Sequence, residues 1–310
     1  KIMKTGISYL IQMHVGMFFI LIAFLLVYRA TGRLSFDALA EYFSVHRNLP
    51  LFLLFFVGFA IKAGFVPLHT WLPEAHPAAP SHVSGVMSGV MIKMGIYGIA
   101  RVLASMQSDL LATGIFILVI SIMSGLGGIM MALVQSDMKK MLAHSSIENM
   151  GIITAGFGAG FVFIAAGHQV LAGIAFTAAL YHMTNHALYK ALLFLGVGAV
   201  DASVGHRDMD RLGGLIKVMP WTGLFVLVGA LAIAALPPFN GFVSEWLTLQ
   251  TMLRSADLSS TAVKMVFAVC GATLALTAAL AVTCFVKAFA MSFLGHARSL
   301  SVKKVTDVGR

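Results

Sequence analysis

Long stretches of this chain contain no Asp, Glu, Lys or Arg, and that property limits the possible folds more than any motif does. Residues 5–28, 110–134, 218–244 and 265–286 are each uncharged, and 149–189 stays uncharged long enough for two passes. A helix needs roughly 20 apolar residues to cross a bilayer core, so each run reaches the length of a membrane span. The composition agrees: 59% of the 310 residues are hydrophobic and 11% are charged, against about 45–50% and about 25% in a soluble domain. A net charge of +9 raises nucleic acid as a partner. The Lys and Arg residues, however, sit in short connections between apolar runs and form no basic face, so nucleic acid is excluded and membrane lipid is the expected surrounding.

Apolar runs set against polar connections predict an all-α polytopic bundle of about eight spans. They fall near residues 8–28, 49–65, 83–102, 110–134, 147–166, 170–200, 218–253 with an interruption, and 263–294. Alternation puts Lys1, Lys4, Lys139, Lys140, Arg207, Arg211, Lys217, Arg298, Lys303, Lys304 and Arg310 on one side, with Arg29, Arg33, Arg47, Arg101 and Arg254 on the other. By the positive-inside rule the first set faces the cytoplasm, which places both ends there. The chain starts at Lys1 without a cleavable signal pattern, and the expectation is a piece of a longer membrane protein that lacks N-terminal helices.

Two spans are interrupted by proline. One runs into Pro67, with Pro73 beyond it, and another into Pro237 and Pro238. Proline removes an amide donor and frees a carbonyl four residues back, and such breaks persist at membrane depth only where protein or water receives the backbone. An ionisable residue stands beside each, Lys62 before the first and Glu245 after the second. Broken helices in corresponding positions of two halves point to an inverted-repeat transporter with its ion path near the midplane.

Lys62, Lys93, Lys190 and Glu245 fall deep inside spans, where each charge costs about 2.5–3.5 kcal/mol on insertion scales. A desolvated lysine can give up its proton and regain it when a carboxylate approaches, which makes it a switchable proton site. His182, His186 and Lys190 recur every fourth residue; that spacing turns a helix by about 40° and rises about 6 Å per step, so the three share one stripe. Imidazoles pass protons by accepting on one nitrogen and donating from the other, and the stripe reads as a relay. No third ligand follows at helical spacing, so no metal site is expected.

Blander readings hold elsewhere. Lys264 and Lys287 are expected to reach the interface, and His14 and His168 to be satisfied core or interface residues. His69, His76 and His82 flank Pro67, Pro73, Pro77 and Pro80, where helix termination alone explains the pattern. Asp137, Lys139, Lys140, His144 and Glu148 read as a solvated loop or partner contact ahead of a span. Cys270 and Cys284 lie about 21 Å apart along one helix and cannot bridge. Without Cys-x-x-Cys pairs or a Gly-rich phosphate loop, no cofactor and no redox active site are expected on this chain.

Five segments carry a resemblance. Residues 61–81 (IKAGFVPLHTWLPEAHPAAPS), 91–101 (MIKMGIYGIAR), 137–151 (DMKKMLAHSSIENMG), 182–196 (HMTNHALYKALLFLG) and 236–245 (LPPFNGFVSE) resemble the proton-conducting antiporter-like subunits of respiratory complex I, multisubunit sodium/proton antiporters and membrane-bound hydrogenases. The wording of residues 75–88 is most similar to the hydrogenase-4 and formate hydrogenlyase branch. The resemblance implies one transmembrane domain over residues 1–310. The end of a first five-helix repeat would fall at about 1–103 and a second, inverted repeat at about 110–295, each with a half-channel at its broken helix. It implies that Lys62 and Glu245 are the two broken-helix sites, Lys93 a bridging lysine, and His182, His186 and Lys190 the central relay. The family's glutamate partner for Lys62 and the long lateral helix of some relatives have no counterpart in these residues. Implied partners are other membrane subunits and a peripheral hydrogenase-type or dehydrogenase module, in a bacterial inner membrane. Sodium/proton exchange, a complex I pumping subunit and a passive anchor for a soluble hydrogenase are the alternatives.

Overall fold

The computed structural model describes residues 2–302 together with Val305 and Asp307. Among the described residues the chain is helical without strands: α1 (Ile2–Thr31), α2 (Ala38–Val45), α3 (Asn48–Ala63), α4 (Leu72–Ala78), α5 (Ser81–Val86), α6 (Ile92–Leu103), α7 (Leu110–Leu133), α8 (Met138–Ala165), α9 (Gln169–Val204), α10 (Pro220–Ile233), α11 (Asn240–Leu253) and α12 (Thr261–Phe293). A π-helical turn, Met87–Met91, joins α5 to α6 and makes Ser81–Leu103 one continuous rod. That rod, α1, α7, α8, α9 and α12 are the 6 helices long and apolar enough to cross a membrane, while α3 and α10 are shorter apolar helices. The polytopic bundle expected from the uncharged runs is the observed architecture.

α8 stands at the centre, buried on nearly every side. Small residues let its neighbour α7 come close: a Cβ added at Gly151 would fall 2.7 Å from the Ser121 carbonyl oxygen. One correction concerns where α8 begins. Residues 138–148 are the first turns of the helix and not a loop; Asp137 caps the helix by accepting from the backbone N–H groups of Lys139 (2.8 Å) and Lys140 (3.1 Å), the standard use of Asp at a helix start. Lys139 is 2% and Glu148 1% exposed. Lys139 and Glu148 turn inward, while Asp137, Lys140 and His144 keep partial exposure.

The charges divide as the alternation of spans requires. Arg207 pairs with Asp137 (2.8 Å) and Asp201 (3.1 Å), and Lys140 with Glu74 (2.8 Å), beside the start of α8. Arg47 pairs with Asp109 (3.2 Å) at the start of α7, and Arg101 with Asp37 (3.7 Å). The 24 residues of α7, about 36 Å at 1.5 Å each, separate the two groups. Lys1, Lys303, Lys304 and Arg310 lie outside the described residues. Lys287 reaches to the end of a neighbouring helix: its Nζ donates to the carbonyls of Leu133 (2.8 Å) and Gln135 (3.2 Å), closing the C-terminal end of α7 where a cation complements the helix dipole.

Candidate functional site

Both proline segments break their helices as the sequence predicts. After Ala63 the backbone turns left-handed at Gly64 (φ 78°) and passes through a cis Val66-Pro67 bond into α4. The Trp71 indole N–H donates to the freed Ile61 carbonyl at 2.7 Å, and the Val66 N–H donates to Ser124 Oγ at 3.1 Å. In the second break, α10 ends at Ile233, Ala235 adopts φ 50°, and a cis Pro237-Pro238 bond leads into α11. There Asn185 and Asn240 bond reciprocally: Asn185 Nδ2 donates to the Asn240 carbonyl and Asn240 Nδ2 donates to Asn185 Oδ1, each at 2.9 Å.

α9 carries the next layer, because the four-residue spacing keeps its polar stripe pointed at α8. His182, His186 and Lys190 are all 0% exposed. The His182 Nε2 nitrogen lies 3.0 Å from Asn149 Oδ1, an oxygen that also accepts from the Tyr189 hydroxyl at 2.7 Å. An amide oxygen only accepts, so His182 carries its proton on Nε2, and its Nδ1 accepts from Ser244 Oγ at 2.9 Å. Asn185 Nδ2 donates to the same Ser244 oxygen at 3.1 Å. A hydrogen-bonded file therefore runs from the second break through Asn185, Ser244, His182 and Asn149 to Tyr189.

Lys93 enters the file from α6. Its Nζ lies 2.6 Å from His186 Nδ1 and donates to the Ser88 carbonyl at 2.7 Å, inside the π-helical turn, a kind of helix irregularity that recurs at functional sites. The Ser88 hydroxyl meets Ser146 Oγ at 2.7 Å. Ser146 donates to the Leu142 carbonyl at 2.9 Å, and the same carbonyl accepts from Lys190 Nζ at 2.8 Å. Lys190 also donates to Ser145 Oγ at 2.5 Å. The two lysines thus hold opposite ends of one hydroxyl and carbonyl bridge.

The fold brings Lys93, His182, His186 and Lys190 into one buried polar assembly. Glu245 stands beside it: Ser244, the preceding residue, is bonded to His182, and the partly buried carboxylate lines a cavity of about 170 Å³ with Ala235, Phe242 and Trp246. Lys62 is not part of the file; it is partly buried at the last turn of α3, with no hydrogen bond or ion pair among the described residues. Sequence reasoning missed Ser88, Asn149, Asn185, Tyr189 and Ser244, which carry no charge to mark them. It also missed Glu148, an electrostatic neighbour of Lys190 and Glu245, because its segment read as loop; the Asp137 cap signal before Met138 would have placed it on a helix. The described residues contain no metal-binding cluster.

Residues 1–275 match the family described as NADH:quinone oxidoreductase/Mrp antiporter, transmembrane. The chain is 42% identical over 98% of its length to hydrogenase-4 component B of Escherichia coli (strain K12), of which it covers 46%. It is 37% identical over 84% of its length to formate hydrogenlyase subunit 3 of the same organism, covering 43% of it. In structure it is similar to a chain of the membrane-bound sulfane sulfur reductase, an archaeal respiratory membrane complex, with a TM-score of 0.84 and 28% identity over 98% of this chain and 49% of that one. A chain of the Mrp complex from Dietzia sp. DQ12-45-1b superimposes with a TM-score of 0.81 at 25% identity, over 95% of this chain and 52% of that one. The chain spans about half the length of the curated relatives it matches.

Proposed function

Since the chain belongs to the NADH:quinone oxidoreductase/Mrp antiporter transmembrane family, we propose that it is the proton-translocating part of a membrane subunit in a hydrogenase or formate hydrogenlyase type redox complex. In that setting it couples electron transfer in partner subunits to proton movement across a bacterial inner membrane. The observation that carries this reading is the 2.6 Å approach of Lys93 Nζ to His186 Nδ1 inside a buried file. One proton shared between two bases can be handed either way by a small displacement, and neither base has bulk water to take it instead. The energies are of the right size. Moving a charge against 100 mV costs about 2.3 kcal/mol, within the roughly 1.5–3 kcal/mol that a hydrogen bond to a charged group contributes, so making and breaking such a contact can gate a proton.

Residues 1–103 form the end of one repeat and 110–295 its inverted counterpart, supported by a proline break in each half. Lys62, Lys93, His182, His186, Lys190 and Glu245 form the relay, with Pro67, Pro237 and Pro238 as the breaks that open it. Lys62 needs a partner beyond the described residues for its part, and the relatives' greater length leaves room for one. The partners are other membrane subunits and a peripheral redox module, supported by the complexes to which the relatives belong.

The test uses the full-length subunit in its complex, in inverted membrane vesicles energised by the redox substrate. Replacing Lys62 or Glu245 by a neutral residue is expected to abolish acidification while the complex still assembles. Unchanged pumping in both variants refutes the relay. Acidification that requires sodium at fixed pH assigns sodium/proton exchange instead.

A further inference from the structure

The imidazole of His76 is fully buried on α4, and neither ring nitrogen has a protein partner. Its ring stacks on Phe194 of α9 with centroids 4.7 Å apart and planes inclined by 20°. Stacking needs no nitrogen. A phenylalanine would fill the place without leaving two polar atoms unsatisfied, an arrangement that costs folding free energy. Orphaned buried polar atoms of this kind mark sites where the polarity serves something other than packing.

The position of the ring indicates what that is. Phe194 follows Lys190 by one helical turn on the buried face of α9, about 6 Å along the axis, so the imidazole stands one turn from the end of the central file. Lys139 of α8 is tied to the end of α4, the short helix that carries His76. The Lys139 Nζ donates to the Ala79 carbonyl at 3.0 Å, three residues beyond His76, and lies 3.9 Å from Asp201. Lys139, Asp201, Ser81 and His82 line a surface cavity of about 580 Å³. Lys190 from α9 and Lys139 from α8 are the two charges that act on His76, with Ser84 of α5 holding the His76 carbonyl at 2.9 Å and Arg207 holding that of Pro77 at 3.2 Å.

We propose that His76 carries protons between Lys190 and the surface cavity at Lys139 and Asp201, giving the central file its opening on the face that holds the Asp137, Arg207 and Asp201 cluster. The inference rests on the proton-translocating reading. One ring nitrogen of neutral His76 takes a proton from the Lys190 ammonium, directly or through one water. The other nitrogen gives its own proton to water in the cavity. Lys190 is left neutral and the imidazole neutral in its other tautomer, and a ring flip about the Phe194 stack restores it; the reverse sequence loads Lys190. The four bonds that tether α4 and its flanks, from Ser84, Lys139, Arg207 and Lys140, fix the ring between donor and acceptor.

The test again uses the full-length subunit in its complex, in inverted vesicles. His76→Phe keeps the stack and removes both nitrogens; the expected result is at least a 10-fold fall in the initial rate of acidification, with assembly and thermal midpoint unchanged. His76→Ala is expected to fall equally and to recover in part when imidazole or methylimidazoles are added, with a pH optimum that follows the added base. Parent-level acidification in His76→Phe, in membranes where Lys190→Met abolishes it, overturns the inference and leaves the proposed function standing. Loss of assembly in both variants, with no recovery in any base, overturns it in favour of a packing role. A parent complex that turns over without acidifying overturns both readings before any His76 variant is made.

Discussion

Two helices in this molecule are broken by proline, and they solve the same chemical problem with different partners. The first break is sealed by an aromatic residue. Trp71 donates its one N–H to the Ile61 carbonyl, and it is packed dry, 2% exposed, against Tyr9 with ring centroids 5.1 Å apart. The second break is closed by amides and a hydroxyl, Asn185, Asn240 and Ser244, each with spare hydrogen-bonding capacity that leads on to His182. An indole ends a hydrogen-bond path because it only donates, whereas an amide or hydroxyl extends one because it does both. The second break is thereby wired to the central file, whereas the hydroxyl at the first, Ser124, accepts from the Val66 N–H and has no onward hydrogen bond among the described residues. Lys62, beside the first, lacks a partner in the described residues for the same reason.

The largest expected contrast comes from the backbone. A Cβ added at Gly241 would overlap the Ala232 carbonyl oxygen, backbone on both sides, with no flexible side chain to yield. At Gly64 the added Cβ meets only the tip of Leu72 at 2.6 Å, though φ is 78°. Gly64→Ala is expected to cost about 1–2 kcal/mol for the left-handed conformation. Gly241→Ala is expected to cost more than the roughly 1–3 kcal/mol of ordinary overpacking, enough to lose the folded subunit. Thermal unfolding of the full-length subunit in detergent measures both, and a Gly241→Ala midpoint at or above that of Gly64→Ala would remove the asymmetry.

A finer contrast separates sealing from wiring. Trp71→Phe keeps the ring and strands the Ile61 carbonyl, and Asn185→Leu strands the Asn240 side-chain amide; each is expected to lower stability by about 1–3 kcal/mol. Proton translocation per redox turnover should survive the first and fall several-fold in the second, because only Asn185 also orients Ser244 toward His182. Equal losses of pumping would mean that the first break is wired as well, through groups the described residues do not supply.

These contrasts also show what a reader of the sequence alone can reach. Uncharged runs mark the long helices, and Pro67, Pro237 and Pro238 mark the breaks, because both signals are local and dictated by the backbone. The four-residue spacing of His182, His186 and Lys190 is local too, and it places them on the buried face of one helix as read. The approach of Lys93 to His186 spans 93 positions and depends on how α6 packs on α9, which no periodicity encodes. His76 draws no notice for a related reason: prolines near it explain the turn so fully that the ring looks incidental. Its burial, a tertiary fact, is what makes it informative.

The smallest expected effect tests whether the two broken helices are anchored alike at their far ends. α10 begins with the Trp221 N–H and the Thr222 hydroxyl donating to Asp307, at 2.8 Å and 2.7 Å. α3 begins with the backbone N–H groups of Asn48 and Leu49 donating to Asp109, at 3.1 Å and 3.2 Å, and Asn48 returns the favour by accepting from the N–H groups of Gln107 and Ser108. The Leu49 hydrogen bond, aided by Arg47 and opposed by partial burial, holds the Asp109 carboxyl below the usual aspartate range. A carboxyl whose folded value lies below its unfolded one stabilises the fold above about pH 4, and that contribution disappears as pH falls through the folded value. Asp109→Asn keeps an acceptor and tolerates the left-handed φ of 58° at this position, so it isolates the charge. It is expected to cost about 0.3–1 kcal/mol at neutral pH, the range for an anion at a helix start. The unfolding curves of parent and variant should then converge in acid, and an offset that persists unchanged to low pH would show that the carboxylate acts at α3 by shape and not by charge.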